Sequence, residues 1–129
     1  MPMTALEMVT AARAQVDDIS PTQAQAEVAS GKATLLDVRE PVEWEHYIEG
    51  AVQVPRGLLE FAADPTSPRH KPELDPARRV IVYCRSGVRA VLAAATLKTL
   101  GYADVVNLGG GIAAWKEGGL PITEHHEGM

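Results

Sequence analysis

Arg79-Val80-Ile81-Val82-Tyr83-Cys84-Arg85-Ser86-Gly87-Val88-Arg89 holds the only cysteine in a chain of 129 residues. Val80 to Tyr83 is an apolar run rich in β-branched residues, as a buried strand would be. Directly after the loop, Ala90-Val91-Leu92-Ala93-Ala94-Ala95-Thr96-Leu97 reads as a helix. Cys84 therefore falls where a strand ends and a helix begins. There, free backbone N–H groups and the positive end of the helix dipole converge on one point. Such a point suits an anion, and it favours a thiolate over a thiol.

Working outward, the same alternation repeats. Thr4 and Glu7 have the spacing of a capping box, and Leu6, Val9, Ala12 and Val16 follow at helical spacing. This predicts an amphipathic N-terminal helix over Thr4 to Val16. Ser20-Pro21 opens a second helix that Gly31 closes. Ala33 to Val38 reads as a strand, Pro41 starts a short helical turn through Trp44 and His46, and Ala51 to Val54 is a short strand stopped by Pro55. Gly57 to Phe61 predicts a short helix. Asp64 to Arg78 contains Pro65, Pro68, Pro72 and Pro76, so it is a long loop or surface excursion in which function or mobility can reside. After the Cys84 strand and its helix to Leu100, Asp104 to Asn107 is another strand. Gly109-Gly110-Gly111 then leads into a last helix through Lys116, ended by Gly118-Gly119. Glu124 to Met129 is a polar tail expected to fray. Strands without polar alternation, separated by helices, argue for a parallel sheet covered on both faces.

Composition narrows the function classes. The length fits one domain with a real core. The net charge of −5 argues against nucleic acid as a partner, because phosphate binding needs a basic face. One cysteine excludes an intramolecular disulfide framework and a cysteine-based zinc site, and it fits a reducing compartment. The N-terminus has neither a basic region nor a continuous apolar run, and no segment reaches the length of a membrane span. A cytoplasmic protein without a membrane partner is expected. His125 and His126 stand away from other ligand-type residues, and no metal or cofactor is expected.

Several residues gather around Cys84. Arg85 and Arg89 can favour a thiolate and attract an anionic substrate. Ser86 can donate a hydrogen bond or cap the helix. Gly87 gives the backbone freedom to turn its amides inward, as in an anion-binding nest, with Val88 completing the loop. Asp37-Val38-Arg39 ends the earlier strand, so it should approach the same edge of the sheet, where ligands of α/β proteins bind. A salt bridge and a direct role are equally open to Asp37. Arg39 and Arg56 can line an anion site or pair with nearby carboxylates. Trp44 and Trp115 read as packing residues. Gly109-Gly110-Gly111 lacks the ending of a phosphate-binding loop and the dinucleotide spacing, so it is read as letting backbone pass close to the active loop.

Together these residues resemble the rhodanese family of sulfurtransferases, over Ile19 to Ile122. The resemblance rests on four ordered blocks: Leu36-Asp37-Val38-Arg39-Glu40 with Glu43-Trp44; Ile48-Glu49-Gly50-Ala51; Val82 to Arg89; and Leu108-Gly109-Gly110-Gly111 with Trp115, Gly119 and Pro121. It implies an α/β, rhodanese-like fold: a five-stranded parallel sheet with helices on both faces, here with an extra N-terminal helix. The implied division is an N-terminal extension over 1–18, the domain over 19–123 and a tail over 124–129. It also implies that Cys84 carries sulfane sulfur as a persulfide, with Arg85, Ser86, Gly87, Val88 and Arg89 as the cradle; Asp37 and Arg39, from their place at the same sheet edge, are read as further binding residues. The partners implied are a small anionic sulfur donor such as thiosulfate and a thiol or cyanide acceptor, with a protein acceptor also open. His46-Tyr47-Ile48 stands where the family usually has Gly-His-Ile, which leaves that turn's geometry open. The N-terminal helix lies outside the minimal domain and can pack on it or join two copies into a homodimer.

Two other classes compete. Cysteine phosphatases and arsenate reductases also combine a cysteine, a loop of amides and an arginine. Their loops carry a longer spacer than the four residues between Cys84 and Arg89, and the shorter loop suits one sulfur atom better than a tetrahedral phosphate. A binding or redox-sensing module of the same fold is the other alternative, since fold does not specify task.

Overall fold

Each sequence signal can be followed into a computed structural model of the protein, which describes residues 2–124. The Glu7 amide donates to the Thr4 hydroxyl and the Thr4 amide to the Glu7 carboxylate, a complete capping box opening helix α1 (Ala5–Arg13). Strand β1 (Asp17–Ile19) follows, then helix α2 (Pro21–Ala29), whose cap is the Ser20 hydroxyl. Strand β2 (Ala33–Asp37) leads through a 3-10 turn at Pro41–Glu43 to the short strands β3 (His46–Tyr47) and β4 (Val52–Gln53). A second 3-10 turn at Arg56–Leu58 runs into helix α3 (Leu59–Ala63). Strand β5 (Arg79–Tyr83), helix α4 (Val88–Thr99), strand β6 (Val105–Leu108), helix α5 (Gly111–Glu117) and strand β7 (Thr123–Glu124) complete the order.

Five strands form one parallel sheet in the order β1-β6-β5-β2-β4. Side chains along its central strands alternate between two cores, as a period of two dictates. Val80, Val82 and Cys84 face one core with Leu36, Val38, Leu59 and Leu97, where α3 and α4 pack. Ile81 and Tyr83 face the other with Leu35, Ala24, Ile112 and Trp115, where α2 and α5 pack. Both faces are covered, so β5 needs apolar residues at consecutive positions. Val80, Ile81 and Val82 are each wholly buried, and each contributes about 1.5–3 kcal/mol on that account. The α1 helix lies against α4 on the outside of the first core. Among the described residues no helix is long and apolar enough to cross a membrane.

Three short strands depart from the sequence reading. Asp17 and Asp18, acidic and exposed, form β1 by backbone pairing to Val106 and Asn107, so the sheet begins two residues ahead of the expected domain start. The helical turn at Pro41 ends at Glu43, and His46 and Tyr47 instead pair antiparallel with Glu124 and Thr123. Glu124, expected in a fraying tail, therefore belongs to β7; the remainder of that tail, with His125 and His126, lies outside the described residues. The proline-rich excursion is anchored rather than loose. Leu74 is wholly buried in the α4-side core, and the Lys71 amide donates to the Ala62 carbonyl.

Strand order positions the site. From the central pair β2–β5 the chain winds outward in opposite directions, β2 toward β4 and β5 toward β6. Such a reversal opens a crevice beyond the carboxyl ends of the two strands. Register places Asp37 beside Tyr83, and the Val38 amide donates to the Tyr83 carbonyl at 3.1 Å. The crevice is therefore bounded by Arg39 on one side and Cys84 on the other.

Candidate active site

Cys84 is the residue after β5, and 1% of its surface is exposed. Its Sγ accepts hydrogen bonds from the backbone amides of Gly87 at 3.1 Å and Ala90 at 3.4 Å. Both donors sit at the N-terminal end of α4, where the helix leaves its first amides unpaired. The carbonyls of the loop face the other way. The Cys84 carbonyl accepts from the Ile112 amide at 2.9 Å, and the Arg85 carbonyl from the Ala113 amide at 3.0 Å. The first turn of α5 thus holds the loop's acceptors away from the sulfur while the loop's donors point at it.

Two glycines permit this arrangement. Gly87 has φ +108°, a conformation that side chains disfavour. Gly111 has φ +64°, and a Cβ there would lie 2.4 Å from the Arg85 carbonyl oxygen and 2.6 Å from that of Cys84. The triple-glycine run does bring backbone against the active loop, as its composition suggested.

Arg89 extends from the first turn of α4, but its guanidinium is occupied. Its two terminal nitrogens donate to the Glu43 carboxylate at 2.6 and 2.8 Å. The hydrogen bond from Arg89 holds the Glu43 carboxyl down to about 2, and the same pairing raises the Arg89 guanidinium above its ordinary value. Sequence reading noticed Glu43 only as part of a block and missed it as a partner of the loop. The two residues are 46 positions apart, with no local signal connecting them.

Asp37 is wholly buried, and Arg39 takes both of its oxygens: Nε donates to Oδ1 at 3.1 Å and NH2 to Oδ2 at 2.8 Å. The remaining Arg39 donors reach the carbonyls of Glu43 at 3.0 Å and His46 at 2.8 Å. The guanidinium also lies 5.5 Å from the centre of the Tyr83 ring. Burial pushes the Tyr83 phenol up, which keeps it neutral, and its oxygen accepts from the Ile48 amide. Asp37 and Arg39 thus fix the turn that carries Glu43, and Glu43 in turn holds Arg89. Arg56 is drawn to Glu60 and the Thr96 hydroxyl.

Arg85 and Ser86 are exposed at the mouth of the loop, and Val88 is 45% exposed. Arg85 opens on a cavity of about 620 Å³ that Arg39, Glu43, His46 and Lys116 also line. Trp115 is buried in the second core, with its indole N–H donating to the Pro121 carbonyl. Trp44 is half-buried, and its indole nitrogen has no partner among the described residues. His46 pairs with Glu124 and His70 bonds the Leu74 carbonyl, so neither serves the sulfur. Among the described residues no cluster of His, Cys, Asp or Glu could hold a metal ion. What remains is a nearly enclosed sulfur that receives two backbone amides, an arrangement able to stabilise a sulfur-centred anion.

Comparison with known proteins fits this geometry. The family described as "Rhodanese-like domain" matches residues 20–118. A Mycobacterium tuberculosis protein named "Probable adenylyltransferase/sulfurtransferase MoeZ" is 38% identical over 99 residues, covering 75% of this chain but 24% of the relative's own length. An Allochromatium vinosum protein named "Sulfurtransferase" is 41% identical over 90 residues, 69% of this chain and 77% of the relative. The solved structure of a Rhodopseudomonas palustris protein of unknown function, described as a possible tyrosine phosphatase, has a TM-score of 0.85 at 33% identity. It covers 95% of this chain and 99% of that one.

Proposed function

The chain belongs to the rhodanese-like domain family, and within it we propose that the protein moves sulfane sulfur from a small anionic donor such as thiosulfate to a thiol or cyanide acceptor through a persulfide on Cys84. The observation that carries this reading is the pair of amides, Gly87 and Ala90, directed at the Cys84 sulfur. The sulfurtransferase name of a relative that matches most of its own length supports sulfur transfer in general.

In the first step the Cys84 thiolate attacks the outer sulfur of thiosulfate. A Cys84–S bond forms, the S–S bond of thiosulfate breaks, and sulfite leaves with the electron pair. In the second step the acceptor attacks the terminal sulfur and the pair returns to Cys84. The covalent intermediate implies ping-pong kinetics. The loop amides serve both steps by meeting negative charge on sulfur. Neither step needs a metal or a cofactor. The single cysteine suits a reducing cytoplasm, where acceptor thiols are abundant. Self-association belongs to the same reading. Leu6 and Met8 of helix α1, and Met3 just ahead of it, are exposed at 75%, 51% and 56%, and a second copy of the chain is the partner proposed for that face.

The test is a thiosulfate:cyanide assay with Cys84→Ala as control. Thiocyanate should form with the wild type and not with the variant; equal activity in the two would end the proposal. The description of the Rhodopseudomonas palustris neighbour gives phosphate hydrolysis as a second reading. Against it stand the short loop and an Arg89 whose terminal nitrogens are taken by Glu43. Hydrolysis of p-nitrophenyl phosphate that depends on Cys84 would favour it.

A further inference from the structure

Strand β6 is apolar except at Asn107, which is 1% exposed. Val105 and Val106 face the first and second cores in turn, so alternation directs the Asn107 side chain to the α4 side of the sheet. There its Nδ2 donates to Asp18 Oδ1 at 2.8 Å, across the parallel pair that joins β1 to β6. A carboxylate only accepts, so Asp18 fixes which way the amide faces. The same nitrogen lies 3.3 Å from where a Cβ on Gly87 would stand. The Asn107 amide is thus packed against Gly87, whose own N–H donates to the Cys84 sulfur. Asn107 Oδ1 is buried with no partner among the described residues.

An acceptor left unpaired in the interior destabilises a fold, and an apolar residue at this position would carry no such penalty. Packing therefore does not account for the amide, whereas its contact with the active loop does. Gly87 holds φ +108°, its carbonyl is fixed by the Val91 amide at 3.1 Å, and its Cα is backed by the Asn107 amide. We propose that Asn107, oriented by Asp18, is a positioning residue for sulfur transfer, keeping the Gly87 N–H aimed at the Cys84 sulfur. The inference rests on the sulfur-transfer reading. Negative charge on Cys84 is consumed when sulfur is loaded and returns when the acceptor removes it, and a donor held in place meets that charge without rearranging. Asn107 makes no hydrogen bond to the sulfur and acts through Gly87.

Asp18 is exposed, and β1 is joined to β6 by backbone pairing, so it can be changed without opening the core. Asp18→Ala frees the Asn107 amide, Asp18→Asn keeps an oxygen for Nδ2, and Asp17→Ala removes the same charge from the adjacent residue. The pH profile of Cys84 alkylation by iodoacetamide, measured on the full chain, reads the thiolate directly. The charged groups around the loop, Arg85, Arg89 and Glu43 with Asp37 and Arg39, are the same in every variant. Asp18→Ala should move the profile about one unit to higher pH, the loss of one hydrogen bond to a charged group, and should slow sulfur loading from thiosulfate at neutral pH. Loss of a negative charge alone would move the profile the other way. Asp18→Asn and Asp17→Ala should stay close to wild type. Asn107→Leu, which removes the amide and its unpaired oxygen together, should melt close to wild type and still show the alkaline shift. Wild-type profiles in Asp18→Ala and Asn107→Leu, or equal shifts in Asp18→Ala and Asp18→Asn, would overturn the proposal while leaving sulfur loading intact. A wild type that alkylates but takes no sulfur from thiosulfate overturns the sulfur-transfer reading, and with it the role of Asn107 in that reaction.

Discussion

At the scale of single residues the loop is held by a carboxylate outside it. Glu43 is partly buried and receives both terminal nitrogens of Arg89. Its folded-state value of about 2 lies below its ordinary 4.5. A carboxyl held down in the folded state adds stability that is fully present above its unfolded value and is lost as pH falls through the folded one. The advantage of wild type over Glu43→Gln should therefore be level above pH 4.5, shrink below it and vanish near pH 2. Both side chains reach solvent, so the plateau should be about 1 kcal/mol. Urea melts across this range test the point; a difference that grows on acidification would contradict it. Cys84 itself was legible in the sequence because strand, thiol and helix are contiguous there. Glu43 was not, because its pairing with Arg89 is made by tertiary structure alone. The occupied state of Arg89 was hidden for the same reason, and with it the fact that, among the described residues, Arg85 is the loop guanidinium without a partner.

At the scale of elements the turn after β2 depends on one buried ion pair. Asp37 is wholly buried and Arg39 nearly so, and the same guanidinium ties down the Glu43 and His46 carbonyls. Arg39→Ala leaves a buried carboxylate without its partner, which should cost about 3–5 kcal/mol. Melting should fall by about 10 °C or more. Replacing the pair together by apolar residues, as Asp37→Leu with Arg39→Met, should cost clearly less, because no unpaired charge remains. A single variant within about 1 kcal/mol of wild type in thermal melts would contradict this role. The long elements were readable from capping signals and apolar runs: α1 from Thr4 and Glu7, β5 from Val80 to Tyr83. The short ones were not. Asp17 and Asp18 carry no strand propensity and are strands only because β6 offers its edge. His46 and Tyr47 are paired by Thr123 and Glu124, which only the completed fold brings near.

At the scale of the whole molecule, parallel architecture followed from apolar runs spaced by helices, while strand order did not. The reversal between β2 and β5, which opens the crevice, is a property of the sheet and not of any segment. The outer helix α1 supplies the assembly prediction. If its exposed Leu6 joins two copies, Leu6→Glu should lower the mass seen by light scattering to that of the monomer, and an unchanged mass would leave α1 as packing on α4 alone. The site depends on all of this at once: two strands ending together, α4 giving its amides to the sulfur and α5 drawing the carbonyls away. The claim that this arrangement makes Cys84 a carrier of sulfur is tested most directly by intact-mass spectrometry of the full chain after incubation with thiosulfate. Wild type is expected to gain the mass of one sulfur atom and lose it on adding cyanide, with no gain in Cys84→Ala; a wild type that gains nothing, or a variant that gains as much, would contradict it.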